Sequence, residues 1–237
     1  MEVRINARTS SDLSAMLRAS PLFRGLVAAD IDELARHMVR RVYRRGQIIF
    51  HRGDAAGALH YVQSGSVKVT LTTDEGKETV LALFGPGACF GEIAALDGGA
   101  RSASVTAAEP TTTLALLRED LLTFIRERPD FALQLIALLA ARLRRADAQL
   151  EDAYFLDLDG RLARCLLDLG TDRGEATAAG MRVPLPLSQT DLAAMLGSTR
   201  VSVNKLLGAY QDAGLISFDD GGIIIKNVDG VRRRIDG

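Results

Sequence analysis

The stretch Ser188–Gly208, SQTDLAAMLGSTRVSVNKLLG, is the most specific local pattern in the chain. Ser188 is a suitable N-cap for a helix, and Asp191 lies three residues on, where a capping box has its second member. Gly197 follows at the point where a helix end needs a left-handed backbone, and Thr199 is a suitable cap for a second helix. The spacing predicts a helix-turn-helix.

The residues that follow this motif predict a β-hairpin wing. Gly214-Leu215-Ile216-Ser217 leads through Asp219-Asp220-Gly221-Gly222 into Ile223-Ile224-Ile225. Most side chains expected on the outer face of the motif are polar, which suits contacts to phosphates and base edges. Helix–glycine–helix patterns also occur in plain helical cores, and the wing favours DNA binding over that alternative. The predicted DNA-binding residues are Ser188, Gln189, Ser198, Thr199, Arg200, Val201, Ser202, Asn204 and Lys205.

Upstream of the motif, residues 130–156 contain neither glycine nor proline, and as a helix they would be about 40 Å long. Apolar residues spaced alternately by four and three form one narrow seam, which indicates a coiled coil between two copies of the chain. The alternative is a helix that lies on its own domain's core, but such helices usually have a wider apolar stripe. The seam residues are Ala132, Ile136, Leu139, Leu143, Ala146, Leu150 and Ala153.

From Tyr43 to Leu117 short apolar runs alternate with glycine turns. In residues 66–71 apolar and polar side chains alternate, as in a half-buried strand. Asp74-Glu75-Gly76 predicts a hairpin turn, and the whole region predicts a β-barrel or roll. Before the β region, residues 12–40 predict two short helices around Pro21. Beyond the long helix, the polar, Gly/Ala-rich residues 171–183 predict a loop.

Within the β region one segment is suited to a phosphate. Gly91 and Ala94 would let a ligand approach backbone N–H groups, and a helix N-terminus there would favour an anion. Arg101 offers a guanidinium for bidentate phosphate contact, and Ser102 offers a hydroxyl. Glu92 is an acceptor suited to a ribose hydroxyl. The same residues also fit a surface turn closed by a Glu92–Arg101 salt bridge, and the spacing alone favours that simpler arrangement.

The composition limits the possible functions. The 237 residues are 47% hydrophobic and 25% charged, as in soluble globular proteins, and a net charge of −1 confines any DNA contact to a local patch. Two cysteines are too few for a cysteine-rich metal site and fit a reducing cytoplasm. No apolar run predicts a membrane span. No zinc-ligand cluster, nucleophile elbow or Walker loop predicts an enzyme.

Taken in order, these elements resemble the Crp–Fnr superfamily of bacterial transcription regulators over nearly the whole chain. The resemblance rests on the glycine-punctuated β region, the long helix, the wing and three short segments: Phe90-Gly91-Glu92, Arg101-Ser102-Ala103 and Phe155-Leu156-Asp157. It implies an α+β fold in which a jelly-roll-like, cyclic-nucleotide-binding β-roll with flanking helices occupies residues 1–128. A dimerisation helix and hinge would follow at 129–156, and a winged helix-turn-helix domain at 157–237.

The resemblance also implies a cytoplasmic homodimer that binds palindromic double-stranded DNA, contacts RNA polymerase and responds to a cyclic nucleotide, with cAMP favoured and cGMP second. In it, Glu92 would hold the ribose 2′-hydroxyl, while Arg101, Ser102 and backbone amides would hold the cyclic phosphate. The predicted nucleotide site contains Gly91, Glu92, Ile93, Ala94, Arg101, Ser102, Ala103, Ala146 and Asp147.

The chain departs from the family pattern at two positions of the predicted nucleotide site and at two of the predicted DNA-binding residues. Ala146 and Asp147 replace a Thr-Ser pair that contacts adenine, so the base of the nucleotide is open. Val201 and Lys205 replace the usual Glu and Arg, so the operator sequence is open.

The sequence also bears on four other classes of protein. Two cysteines exclude the family's iron–sulfur sensors, and the three histidines lie outside the segment where a haem ligand is expected. A family member that binds DNA without nucleotide, or senses another effector, is one alternative. A cyclic-nucleotide-binding regulatory subunit of a protein partner is another, and the wing and the Arg200 helix argue against it.

Overall fold

The computed structural model describes residues 2–4, 13–18 and 20–235, which form a mixed helix-and-sheet fold. The outermost residues of the predicted 1–128 and 157–237 regions therefore lie outside the described residues. The described strands are β1 (Glu2–Arg4), β2 (Val39–Tyr43), β3 (Ile48–Phe50), β4 (Ala58–Ser64), β5 (Val67–Thr72), β6 (Glu78–Phe84), β7 (Cys89–Phe90), β8 (Ser104–Ala107), β9 (Thr111–Leu117), β10 (Glu175–Thr177), β11 (Gly180–Pro184), β12 (Ile216–Asp219) and β13 (Gly222–Ile225).

Helices flank these strands on the N-terminal side and dominate the C-terminal part. A 3₁₀ turn at Pro21–Phe23 precedes the second helix. The helices are α1 (13–18), α2 (Ala28–His37), α3 (Glu92–Asp97), α4 (Arg118–Glu127), α5 (Pro129–Phe155), α6 (Leu158–Arg173), α7 (Gln189–Met195), α8 (Arg200–Asp212) and α9 (Val228–Arg232).

The contacts between residues divide the chain into two compact units. One unit contains Met1–Leu71 and Leu81–Leu143, and the other contains Thr72–Val80 and Arg144–Gly237. The division falls inside α5, whose first half buries Phe131 and Leu135. The division into residues 1–128, 129–156 and 157–237 stays a prediction.

Antiparallel sheets form the β region, as the short glycine-punctuated runs predict. One sheet has the strand order β1-β2-β9-β4-β7, and the other has the order β3-β8-β5-β6. Val62, Val67, Phe90 and Val105 pack together as one apolar cluster. A larger core joins the N-terminal helices to α4 and the start of α5, with Phe131 stacked 5.9 Å from Phe23.

The turn predicted at Asp74-Glu75-Gly76 is confirmed, because it joins β5 to β6 and Gly76 has a φ of 81°. The helices predicted over 12–40 end at His37, and Val39–Tyr43 is a strand. This strand pairs with β9 over five residues, so tertiary pairing determines its conformation.

The loop predicted over 171–183 is wrong. The helix α6 continues to Arg173, and β10 and β11 form a hairpin that extends the wing sheet to the order β10-β11-β13-β12. Met181 to Pro184 pair with β13, and these backbone hydrogen bonds outweigh the weak strand propensity of the Gly/Ala-rich sequence.

Candidate functional site

A sharp turn at Gly91 joins β7 to α3 and positions the predicted nucleotide site. Gly91 has a φ of 77°, in the left-handed region. A Cβ there would lie 2.5 Å from Nη1 of Arg101 and 3.2 Å from the carbonyl oxygen of Ala58. Both the backbone conformation and this close approach therefore require glycine.

Arg101 is buried against this turn, with 5% of its surface exposed. Its Nη1 donates to the carbonyl oxygen of Gly91 at 2.7 Å, and its Nη2 donates to that of Ala58 at 2.8 Å. The guanidinium lies 4.1 Å from the centre of the Phe50 ring. Burial lowers the pKa of Arg101, and the nearby Glu92 opposes that shift. A guanidinium has five N–H bonds, and these two contacts use two of them.

Glu92 is the first residue of α3 and is only 2% exposed. Its Oε1 pairs with Nη1 of Arg142 on α5, and Arg142 also donates to the carbonyl oxygen of Cys89. The Arg142 guanidinium lies 4.8 Å from the centre of the Phe84 ring. The surface turn with a Glu92–Arg101 salt bridge is therefore wrong, since both residues are buried and Glu92 pairs with Arg142 instead.

Arg142 was not among the predicted site residues. Arg142 lies seven residues after Leu135 and so on the same face of α5, but the burial of Leu135 is seen only in the structure. A charged side chain on a core-facing position requires a partner of opposite charge.

The structure brings together part of the predicted nucleotide site. Gly91, Glu92 and Arg101 lie at one turn, and their donors and acceptors suit a cyclic phosphate and a ribose hydroxyl. The other members differ in burial. Ala94 and Ala103 are buried, and Ile93 and Ser102 are exposed; Ala146 and Asp147 are exposed on α5, one turn beyond Arg142.

A buried histidine lies in the interior of the roll near Arg101. His60 on β4 stacks on Phe90 with the ring centres 4.9 Å apart, and its Nδ1 lies 3.3 Å from Oγ1 of Thr113. Burial, followed by the charges of Arg101 and Arg41, lowers the pKa of His60 to about 3. The buried imidazole of His60 is therefore uncharged at neutral pH.

The helix-turn-helix forms as its caps predict. Ser188 accepts from the backbone N–H of Asp191, whose side chain accepts from that of Ser188, which is a complete capping box. Gly197 has a φ of 61°, and Thr199 accepts from the backbone N–H of Ser202 at the start of α8.

The two motif helices pack through Leu192, Ala193 and Val203, all of which are buried. Their outer face carries the predicted DNA-binding residues. Ser188, Gln189, Thr199, Arg200, Val201 and Lys205 are exposed, while Ser198, Ser202 and Asn204 are half-buried.

The apolar seam of α5 is open in the single chain. Ile136, Leu143 and Leu150, spaced by seven, are 60–64% exposed, and Ala146 and Ala153 are exposed as well. Seven-residue spacing of exposed large apolar side chains is the pattern of a coiled-coil face.

Among the described residues, no cluster of His, Cys, Asp and Glu is arranged to hold a metal ion. No helix in the same part of the chain has both the length and the apolarity to cross a bilayer. Cys89 and Cys165 are free thiols.

Comparison with known proteins agrees with this arrangement. Residues 40–128 match the cyclic nucleotide-binding domain, and residues 160–234 match the Crp-like helix-turn-helix domain. The Cyclic AMP receptor protein of Thermus thermophilus is 39% identical over 210 residues, which cover 89% of this chain and 94% of that protein. The CRP-like cAMP-activated global transcriptional regulator of Mycobacterium tuberculosis is 30% identical over 94% of this chain and 99% of its own length.

The solved structures include the Thermus thermophilus Catabolite Activator Protein, which is 38% identical over 92% of this chain and 99% of its own length, with a TM-score of 0.53. A cyclic-nucleotide-binding roll followed by a helix-turn-helix domain defines a class of transcription regulators that are not enzymes. The chain belongs to the cyclic AMP receptor protein family within that class.

Proposed function

We propose that this protein is a cytoplasmic homodimer that binds a palindromic operator and is controlled by a cyclic nucleotide, cAMP ahead of cGMP. The observation that supports nucleotide control most directly is that two buried side chains of opposite charge, Glu92 and Arg101, lie at one glycine turn. Glu92 is an acceptor suited to a ribose hydroxyl, and Arg101 is a donor suited to a cyclic phosphate. The domain match over residues 40–128 supports the same assignment.

Dimerisation rests on the α5 seam. Leu143 alone is 64% exposed, and a coiled coil would bury it with its neighbours Ile136 and Leu150. The predicted division at residues 129–156 makes this helix the connection between effector and DNA-binding regions.

DNA recognition rests on α8 as the helix that enters the major groove. Arg200 in its first turn suits bidentate contact to guanine O6 and N7, and the exposed methyl groups of Val201 suit a thymine methyl. A two-fold dimer would then read half-sites one helical turn apart, about 34 Å.

Control requires that the nucleotide favour one arrangement of the protein over another. Arg142 supplies a route for this, because it connects α5 to Glu92 and to the carbonyl oxygen of Cys89. A ribose that binds Glu92 shares this carboxylate with Arg142, so binding changes how strongly α5 is held. The predicted contacts of Ala146 and Asp147 to the base would add to this on the same helix.

A second candidate is a family member that binds DNA without nucleotide or with another effector. The observation in its favour is that Arg101 and Glu92 already have partners within the chain, in two carbonyl oxygens and Arg142. The Thermus and Mycobacterium relatives are both named for cAMP, which favours the first candidate.

Titration calorimetry with cAMP and cGMP, together with DNA-binding measurements with and without each nucleotide, tests these candidates. The proposal expects saturable binding that is lost in Arg101→Ala, retained in the exposed control Arg52→Ala, and coupled to operator affinity. Full operator affinity with no nucleotide binding would establish the second candidate.

RNA polymerase is the expected partner at the promoter, and transcription in vitro with the operator measures that contact.

A further inference from the structure

Gln189 lies where the two motif helices approach each other. It is the first residue of α7, and its Oε1 accepts from side chains of α8. Nδ2 of Asn204 donates to it at 2.9 Å, while Nη2 and Nε of Arg200 donate at 3.3 and 3.4 Å. One amide oxygen therefore receives hydrogen bonds from two predicted DNA-binding residues.

The atoms of Arg200 that Gln189 engages determine which edge of the guanidinium is left. Nε and Nη2 form one side of the group, and both point to Gln189. Among the described residues nothing bonds Nη1, so the edge formed by Nη1 and Nη2 is available to a guanine. This is one of the two edges from which arginine makes a bidentate contact.

Asn204 is poorly placed to read a base itself. Bidentate recognition of adenine needs both amide atoms of an asparagine. In this structure one N–H of Nδ2 donates to Gln189, and Oδ1, the acceptor that adenine would need, is buried without a hydrogen-bond partner in the described residues. The hydrogen bond to Gln189 is thus the one that fixes the orientation of this amide.

We propose that Gln189 is a positioning residue for base recognition: with Asn204 it holds the Arg200 guanidinium edge-on to the DNA, and it sets the specificity of Arg200 without itself reading a base. The inference rests on the proposed role of Arg200 as the base reader. A side chain fixed before binding loses less conformational freedom in the complex, and the correct base benefits most because only it uses the full bidentate geometry.

Two substitutions separate positioning from direct contact. Gln189→Met keeps the length of the side chain but removes the acceptor, whereas Gln189→Glu keeps an acceptor oxygen and adds a negative charge. In Gln189→Met we expect discrimination at the base pair read by Arg200 to fall roughly threefold to tenfold, the range for one hydrogen bond. In Gln189→Glu we expect lower affinity for all DNA, because the charge repels phosphate, but retained discrimination.

A binding selection on randomised half-sites with the full chain identifies the preferred DNA site. The affinities for that site and for sites with single base-pair changes then measure the discrimination. The same measurements in an Arg200→Ala background complete a double-mutant cycle. The proposal expects Gln189→Met to have no further effect on discrimination in that background. Gln189 is exposed, and a matching thermal midpoint shows that each variant is folded.

The outcomes separate this inference from the proposal on which it rests. If Arg200→Ala relaxes no base position, the proposed base readout fails. If Arg200→Ala relaxes one position but Gln189→Met leaves discrimination intact, or lowers it equally in both backgrounds, Gln189 is not a positioning residue. Loss of discrimination in Gln189→Glu equal to that in Gln189→Met would also overturn the inference, because the acceptor would not be the cause.

Discussion

The predicted nucleotide site and the predicted DNA-binding helix α8 differ in how their charged side chains are stabilised. At the glycine turn of the roll, Glu92 and Arg101 are buried, and each has a partner within its own unit. On α8, Arg200 and Lys205 are exposed, with only the Gln189 contacts on one side of Arg200. A buried charge without a partner is costly, whereas an exposed charge is stable in water until a partner arrives. The charges of the first site are therefore stabilised within the chain, and those of the second by water.

The largest expected effect comes from a substitution in the apolar seam of α5. Leu143→Asp would place a charge and its symmetry mate in an apolar interface, at a cost to dimerisation of about 5 kcal/mol. We expect monomers and loss of operator binding, with the stability of the single chain little changed. Ala141→Asp, on an exposed face outside the seam, is the matched control. Light scattering at low micromolar concentration measures the mass, and an unchanged dimer in Leu143→Asp would refute the seam.

Arg142, the residue just before Leu143, tests the buried site instead. Arg142→Ala leaves the Glu92 carboxylate buried without its cation, so the free energy of unfolding should fall by about 3 kcal/mol. Arg144→Ala, at an exposed position two residues on, should change it by less than about 0.5 kcal/mol. Denaturant unfolding measures both. Equal, small changes would show that the buried pair contributes nothing to stability.

These neighbouring residues also show what the sequence could predict. Apolar periodicity identified the roll, the long helix and the winged motif, because strands and helices repeat with different periods. The caps Ser188 and Thr199 were predictable because capping is local chemistry. The Glu92–Arg142 pair was missed because the residues are 50 positions apart and only the folded chain brings them together.

The loop predicted over 171–183 failed for a related reason. The strands β10 and β11 have three and five residues, too few for a clear alternation, and their conformation depends on pairing with β13. Gln189 was predicted as a DNA-binding residue, but its contacts with Arg200 and Asn204 depend on the crossing of the two helices. Local patterns thus predicted elements and caps, while contacts between elements required the structure.

The buried, uncharged His60 should make the stability of the protein depend on pH. The pKa of His60 is about 3 in the folded chain, against an ordinary value of 6.5. The unfolded chain therefore takes up a proton as pH falls below 6.5 while the folded chain does not, and stability is lost between pH 6.5 and 3. The loss should approach about 1.4 kcal/mol per pH unit, or about 2 kcal/mol at pH 5.

His60→Gln removes this titration and keeps a partner for Thr113. In that variant the free energy of unfolding should depend less on pH between 6.5 and 4, as measured by urea unfolding at several pH values. The exposed His51 provides the control variant His51→Gln. A slope that is identical in His60→Gln and in the unsubstituted protein would show that His60 is not the buried neutral group.

On the exposed side, single residues should affect binding and leave folding unchanged. Arg200→Ala should cost roughly 1–3 kcal/mol of operator affinity and relax one base position. Lys205→Ala should weaken binding to all sequences and lower the salt slope by about 1 if this lysine contacts a phosphate.

Because Val201 and Lys205 replace the family's usual Glu and Arg, the half-site should differ from the family site near those residues. A selection that returns the unaltered family site, with strong preference at every base, would contradict this.

The smallest expected effect concerns Asp147, which is exposed on α5. An ionised carboxylate only accepts hydrogen bonds, so it would suit the N1–H and N2–H₂ donors of guanine better than the single amino group of adenine. If Asp147 reads the base, Asp147→Ser should shift the ratio of cAMP to cGMP affinities by roughly fivefold in favour of cAMP, about 1 kcal/mol. The alternative is that Asp147 faces water or pairs with Arg144, and then the ratio does not change. Calorimetry with both nucleotides measures the ratio, and Glu151→Ser, an exposed acid one turn further on, should leave it unchanged. A shift in Asp147→Ser alone would show that α5 contributes to base selection, whereas an unchanged ratio would leave the nucleotide held only by its sugar and phosphate at Glu92 and Arg101.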